Sequence, residues 1–457
     1  MSTIQSHSPQ RQLSVRKVVV VLIKPTHYDD DGFPYRFARG VLPSNSLAVM
    51  YALTKQALRE VVSADVATEV HLLEDGIWRH AKQLERLHQR FLEPGTQLIV
   101  GLVAVQTAQF PRACDLIAHW QACGATCVIG GFHVSGAIAT LHDGIADPHR
   151  PGIPCPHHMP PEIQALMDRG VIVFHGEAEK RWPQVIADVL RGCAQPLYRG
   201  GLPDLREAPL PEYPTAYLER GFATAMRTVD TGRGCPFACS FCAIINVQGR
   251  TMRSRDPDAV VAYITALGQH HRQAGVFLTD DNFVRNPAWE QILDGLIRQH
   301  SHTHLMVQAD LACGKVPGFL EKLAAAGGKR IFMGVESVNP ANLAAARKRQ
   351  NRVEEYASLW QRCHQLGMAV HAAYIVGFPH DTPETVAQDV EQLIQLGADQ
   401  VSLYMLMPLP GSEDHARAVA ANVELDSDLN RYDSFHPAVK HPLMTPVALV
   451  SAFTQSW

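Results

Sequence analysis

Three cysteines fall within eight positions of one stretch, "TGRGCPFACSFCAIINVQGR", at residues 231–250. Cys235, Cys239 and Cys242 follow the spacing C-x3-C-x2-C, while the other seven cysteines of the chain are scattered. Clustered thiolates of this kind bind metal. A closed zinc site needs a fourth Cys or His at short range, and the next candidates, His270 and His271, lie beyond a predicted helix. A four-iron cluster held by three thiolates leaves one iron open to another molecule. The spacing therefore predicts a metal centre whose fourth ligand comes from outside the chain.

Regular elements must position that loop, and the chain supplies two runs of them. Between 16 and 193, short apolar β-branched stretches alternate with amphipathic ones: strands at 17–25, 67–75, 96–105, 126–131 and 171–177, helices at 46–62, 77–92, 111–123 and 179–191. This rhythm predicts a parallel sheet covered on both faces, a doubly wound α/β domain. Ligands of such sheets lie at the carboxyl ends of the strands, where "VQT" (105–107), "GGFHVSG" (130–136) and "HGEAE" (175–179) fall. Residues 194–224 hold five prolines and little periodicity and read as a linker.

The alternation restarts over 225–410. Strands are expected at 225–230, 275–282, 304–310, 330–337, 369–379 and 400–410, with helices at 257–269, 288–300, 317–326, 353–366 and 383–396. Six such units can curl into a partial (β/α)6 barrel that carries its chemistry on the loops after the strands, and the cysteines occupy the loop after the first. Residues 1–15 read as a flexible tail. Residues 411–457 form a C-terminal segment whose "LNRYDSFHP" (429–437) is placed to cover the barrel's open side.

Composition removes several function classes. The 457 residues suffice for two domains, and 46% hydrophobic content describes a globular chain. With 41 basic against 45 acidic side chains there is no electrostatic footprint for nucleic acid. The polar N-terminus lacks the apolar core of a secretory signal, and no apolar run reaches the roughly eighteen residues of a transmembrane helix. The expected setting is the cytoplasm, where thiols stay reduced, and the expected substrate is a small molecule.

The C-x3-C-x2-C spacing with Phe241 directly before the last cysteine resembles the signature of the radical SAM superfamily. The resemblance implies a [4Fe–4S] cluster on Cys235, Cys239 and Cys242, and S-adenosylmethionine chelating the open iron through its amino and carboxylate groups. An electron from a flavodoxin or ferredoxin-type donor then yields a deoxyadenosyl radical. "GVES" (334–337) resembles the family's G-x-E-S segment, which implies that Gly334, Glu336 and Ser337 lie near the ribose or methionine part. "IVGFP" (375–379), with Gly377, resembles the segment that meets the adenine, and "MPLPGS" (407–412) resembles the sixth-strand ending. In "FLTDDNF" (277–283), Asp280 and Asp281 stand where the cofactor's ammonium is received.

A doubly wound domain ahead of such a barrel resembles the cobalamin-binding subfamily. This implies contacts from Thr107, Gly130, Gly131, His133, Gly176 and Glu177. The D-x-H-x-x-G motif that supplies a cobalt ligand in cobalamin mutases is absent: "KPTHYDDDGFPYRF" has His27 and Gly32 five apart and no aspartate two residues before the histidine. His27 and His133 therefore read as loop and strand-end histidines. The implied activity is methylation of an unactivated carbon in a metabolite or in a natural-product, lipid or tetrapyrrole precursor. The alternative is hydrogen abstraction that drives cyclisation, oxidation or rearrangement. Tyr404, Met405, Gln308, Asp310 and Tyr374 are candidate substrate contacts, and no side chain is singled out as catalytic.

Overall fold

The computed structural model describes residues 15–90, 94–145, 152–270 and 275–457. The predicted tail up to residue 14, the end of the helix expected to reach 92, and His271 lie outside these residues.

The first sheet contains β1 (Lys17–Lys24), β2 (Ala67–Glu74), β3 (Thr96–Leu102), β4 (Thr126–Gly130), β5 (Ile172–Gly176) and β6 (Leu197–Gly201). Its order is β2-β1-β3-β4-β5-β6, with every pair parallel. The apolar run Val18–Ile23 is wholly buried because each face of β1 is covered. Val19, Val21 and Ile23 pack with Ile117 and Trp120 of helix Phe110–Ala122, while Val18, Val20 and Leu22 pack with helices Asn45–Val61 and Trp182–Leu190. The strand order reverses between β1 and β3, and a crevice opens there at the strand ends.

Residues 194–224 are more than a linker. β6 extends the sheet beside β5, and helix Thr215–Gly221 stacks Tyr217 on His80 at 5.0 Å. A five-residue edge strand, "LYRGG", with two glycines carries no apolar alternation to betray it.

The second sheet runs β7 (Arg227–Val229), β10 (Gly275–Leu278), β11 (His304–Ala309), β12 (Gly328–Glu336), β13 (Ala369–Val376) and β14 (Gln400–Met405), all parallel. The short antiparallel pair β8 (Gly232–Arg233) and β9 (Arg253–Ser254) stands beside it. β7 and β14 end the array without pairing, so the barrel is open. Alternation sorts its side chains: Met333, Val335, Tyr374, Val376, Leu403 and Met405 join the core under the helices, whereas Ile375, Tyr404 and Leu406 gather around Phe241. β14 stops five residues earlier than expected, ahead of Pro408 and Pro410.

The two halves are locked together. A Cβ at Gly136 would run into the Pro410 carbonyl and the Gly411 backbone, and Asn45 Nδ2 of the first domain donates to Asp230 Oδ1 of the barrel at 2.8 Å. In the C-terminal segment, the Ser434 carbonyl accepts from Met405 N at 2.7 Å, and His436 Nε2 is 3.3 Å from Asp30. The stretch 429–437 thus lies between the β14 edge and the first domain's 25–44 loop.

Candidate functional site

The cysteine loop is held from beneath by buried charge. Asp230, just past β7, accepts from Arg255 Nη2 at 3.0 Å, Arg233 Nε at 2.8 Å and Asn45 Nδ2 of the first domain at 2.8 Å. Burial alone would raise its pKa; Arg255 and Arg233 outweigh that and hold it well below the usual carboxylate range. Arg233 also reaches Glu177 at 2.8 Å and Glu179 at 2.7 Å, and Arg253 pairs with Glu177, so β8 and β9 are pinned to the end of β5. Gly234 has φ +102°, and a Cβ there would strike the Thr251 carbonyl. Only glycine fits this approach to Cys235.

Cys242 lies within electrostatic reach of both Cys235 and Cys239, and its N–H donates to the Cys239 carbonyl at 3.3 Å. Among the described residues no three Cys, His, Asp or Glu side chains gather closely enough to hold a single ion, which suits thiolates that each serve a different iron. The side chain of His270 lies outside the described residues. The Lys348 ammonium interacts electrostatically with Cys239 and Cys242 and sits 5.8 Å from the Phe241 ring. A cation beside an all-thiolate donor set fits an anionic iron–sulfur cluster.

Glu336 ends β12 with φ +63°, a left-handed conformation that a non-glycine residue adopts under constraint. The constraint is visible: Lys348 Nζ donates to Glu336 Oε1 at 2.5 Å, and a Cβ on Gly334 would collide with both groups. The Ser337 hydroxyl is fully buried and accepts from Asn339 N at 3.0 Å, so it serves the start of the next helix. Gly377, at φ +105°, donates its N–H to Asp381 Oδ2 at 2.8 Å.

The two acids after β10 have separate fates. Asp280 accepts from Thr231 N at 2.5 Å, Thr231 Oγ1 at 2.7 Å and Asn286 Nδ2 at 3.1 Å. Its carboxylate is fully engaged in structure, which corrects its reading as an ammonium receptor. Asp281 faces a cavity, and it acts electrostatically on Cys235 and Cys242. Burial, helped by Asp280 and opposed by Arg233, pushes its pKa up to about 7.

That cavity, of about 310 Å³, lies between the strand ends of the first sheet and the barrel mouth. Backbone at Gly101, Gly130, Gly131 and Gly176 forms one wall, and Val49, Met50, Leu53, Phe174 and Trp182 form an apolar slot beside it. Asn45 Oδ1 and Gln248 Oε1 are buried without partners on its lining. Among the described residues no histidine lines it. Thr107 and His133 bond each other at 3.3 Å against Phe110, outside the cavity, and burial pushes His133 down to about 3. His27 stacks on Tyr35 at 5.2 Å, also outside it. Glu177 lines the cavity but spends its carboxylate on the arginines.

Residues 229–393 match the Radical SAM superfamily. The chain carries a radical SAM domain. It is 24% identical over 388 residues to bacteriochlorophyllide d C-8(2)-methyltransferase of Chlorobaculum tepidum, covering 79% of this chain and 77% of the relative. It is 26% identical over 212 residues to hopanoid C-2 methylase of Rhodopseudomonas palustris, but that match covers only 45% of this chain and 40% of the relative. The fold is that of TsrM, a radical S-adenosylmethionine methyltransferase from Kitasatospora setae solved with cobalamin and a [4Fe–4S] cluster. The TM-score is 0.61 at 18% identity, over 87% of this chain and 76% of that one.

A radical SAM domain implies a [4Fe–4S] cluster and S-adenosylmethionine as its cofactors. Its candidate substrate contacts divide by strand face. Tyr374 is fully buried under the helices with its hydroxyl donating to Asp389 at 2.8 Å, and Met405 joins the same outer core, so neither reaches the barrel interior. Asp310 is tied to Arg285 at 2.7 Å and Asn282 at 3.0 Å. Gln308 donates to the Asp280 carbonyl at 3.2 Å, and Tyr404 packs near Phe241.

Sequence reasoning missed the loop after helix Pro340–Ala345. Lys348 meets Glu336, Gln350 Nε2 lies 3.7 Å from Cys239 Sγ, and Asn351 Nδ2 donates to the Gly334 and Val335 carbonyls at 2.9 and 2.8 Å. Its signal, "RKRQN" (347–351), is polar and aperiodic and reads as an ordinary surface turn.

Proposed function

We propose that this radical SAM protein binds cobalamin in the cavity between its halves and methylates an unactivated carbon of a largely apolar small molecule. The observation that carries this is the cavity: it joins the glycine-lined strand ends of a doubly wound sheet directly to Asp281 at the barrel mouth. Its apolar slot suits a flat ring system, and the unpartnered oxygens of Asn45 and Gln248 suit amide donors such as those around a corrin. Cobalamin bound there supplies a methyl carrier beside a hydrogen-abstracting radical source.

The chain's residues bind, orient and exclude water. Asp281, once ionised, receives the S-adenosylmethionine ammonium in a charge-assisted hydrogen bond. Glu336, fixed by Lys348, orients the ribose or methionine part, and the backbone at Gly377 meets the adenine. Phe241, Ile375, Tyr404 and Leu406 present an apolar surface to the reacting carbon, which keeps water from a reactive intermediate. The relatives' names support the reading, since one is a C-8(2)-methyltransferase of bacteriochlorophyllide d and the other a hopanoid C-2 methylase. A flavodoxin or ferredoxin-type protein supplies the electron, and the reducing cytoplasm is the working compartment. A similarity of 26% over 217 residues to the anaerobic magnesium-protoporphyrin IX monomethyl ester cyclase of Rubrivivax gelatinosus favours a second reading, ring formation without methyl transfer.

The test is cobalt content after anaerobic purification, incubation with hydroxocobalamin and desalting. Near-stoichiometric cobalt supports the proposal, and no retained cobalt overturns it. Release of S-adenosylhomocysteine with product then separates methylation from deoxyadenosine-only chemistry.

A further inference from the structure

The 346–351 loop touches the cysteine loop and the G-x-E-S strand end at once. The Ala346 carbonyl accepts from Ser240 N at 3.1 Å. Asn351 fastens the far end of the loop to the Gly334 and Val335 carbonyls, and Lys348 fastens its middle to Glu336. Gln350 stands between these anchors, half-buried, with its amide N–H directed at the buried Cys239 sulfur at 3.7 Å. That distance is within reach of the larger sulfur atom. A neutral amide donating to a thiolate stabilises the electron-richer state of the cluster, because the sulfur carries more negative charge after reduction. Hydrogen bonds to ligand sulfurs are among the factors that set iron–sulfur potentials.

We propose that Gln350 is a positioning residue that raises the reduction potential of the [4Fe–4S] cluster by hydrogen-bonding to Cys239. Its anchors make the device specific: two contacts before Gln350 and two after it leave the amide little freedom to turn away. The cluster is thereby easier to reduce than the three cysteines alone would make it. The same loop supplies the cation that fixes Glu336, so the electron's destination and the S-adenosylmethionine site share one short segment.

This inference rests on the cluster assigned above, and the experiment separates the two. Reconstituted wild-type protein, Gln350→Leu and Gln350→Glu are titrated with dithionite under mediators, and the reduced cluster is read by electron paramagnetic resonance alongside iron content. The expected result is full iron in each variant, with reduction of Gln350→Leu about tenfold less favourable, equivalent to about 59 mV for one electron. Gln350→Glu, which adds negative charge in the same shape, is expected to fall lower still. Full iron with an unmoved midpoint in both variants overturns the tuning role while leaving the cluster intact. Loss of iron in both assigns Gln350 to cluster assembly instead and equally overturns it. An iron-free wild type would sink the cluster assignment itself.

Discussion

The two rings of strand ends that face each other across the cavity are built on opposite plans. In the first domain the lining is mostly backbone and hydrocarbon, Gly101, Gly130, Gly131 and Gly176 beside Val49, Leu53, Phe174 and Trp182, with Glu177 and Glu179 turned to Arg233. At the barrel's strand ends it is paired charge: Asp230 with Arg255 and Arg233, Glu336 with Lys348, Asp310 with Arg285, of which Asp230 and Arg233 line the cavity itself. A wall of glycines accepts a large neutral ligand by shape and offers it little charge. A wall of locked ion pairs suits a small, charged ligand such as S-adenosylmethionine, and Asp281, which faces the cavity, is the acid proposed to meet its ammonium.

The strongest attack on this contrast is Cys239→Ala. It should remove the brown chromophore and all S-adenosylmethionine cleavage, measured by visible absorption and deoxyadenosine release, and an active colourless variant would refute the barrel's half of the comparison. Asp230→Ala should come next, since it strands Arg255 and Arg233 without their buried partner. A loss of about 3–5 kcal/mol in denaturant unfolding is expected. Because the Asp230 pKa is depressed in the folded state, the stability it contributes is present at neutral pH and lost only as pH falls below the ordinary aspartate range.

A crossed pair sharpens the contrast further. Glu336→Ala should weaken S-adenosylmethionine binding by about tenfold or more with near-normal iron, while Trp182→Ala should reduce cobalt retention and spare S-adenosylmethionine binding. If either variant affects both ligands equally, the two walls are not separate sites.

A smaller effect lies in pH. Asp281 must lose a proton whose pKa is raised to about 7 before it can hold an ammonium. S-adenosylmethionine affinity should therefore improve by about tenfold from pH 6 to pH 8, and Asp281→Asn should flatten that dependence in calorimetric titrations. The smallest effect belongs to His133→Gln, for which unchanged cobalt retention is expected because the ring lies outside the cavity.

The alternation of apolar runs made both sheets legible, down to the buried Val18–Ile23 strand and the six barrel strands. The cysteine spacing made the candidate metal loop legible because thiolates have few other uses at that density. What escaped was held by polar residues without period. β6 is a short glycine-bearing edge, and "RKRQN" shows its purpose only when folding brings Lys348 to Glu336 and Gln350 to Cys239. Asp280 and Asp281 are adjacent and chemically identical in sequence, and only the positions of Thr231 and Asn286 tell the structural acid from the free one. Thr107 and His133 lie at strand ends as expected, but they close on each other beside Phe110.

Gly136 against Gly411 has a consequence for molecular traffic. With backbone seated on backbone at that point, the first domain cannot swing away from the barrel without breaking this close packing. Large ligands must then be exchanged past mobile side chains and loops, with the two halves staying shut. A bulky residue at either glycine would act as a wedge that loosens both sites together.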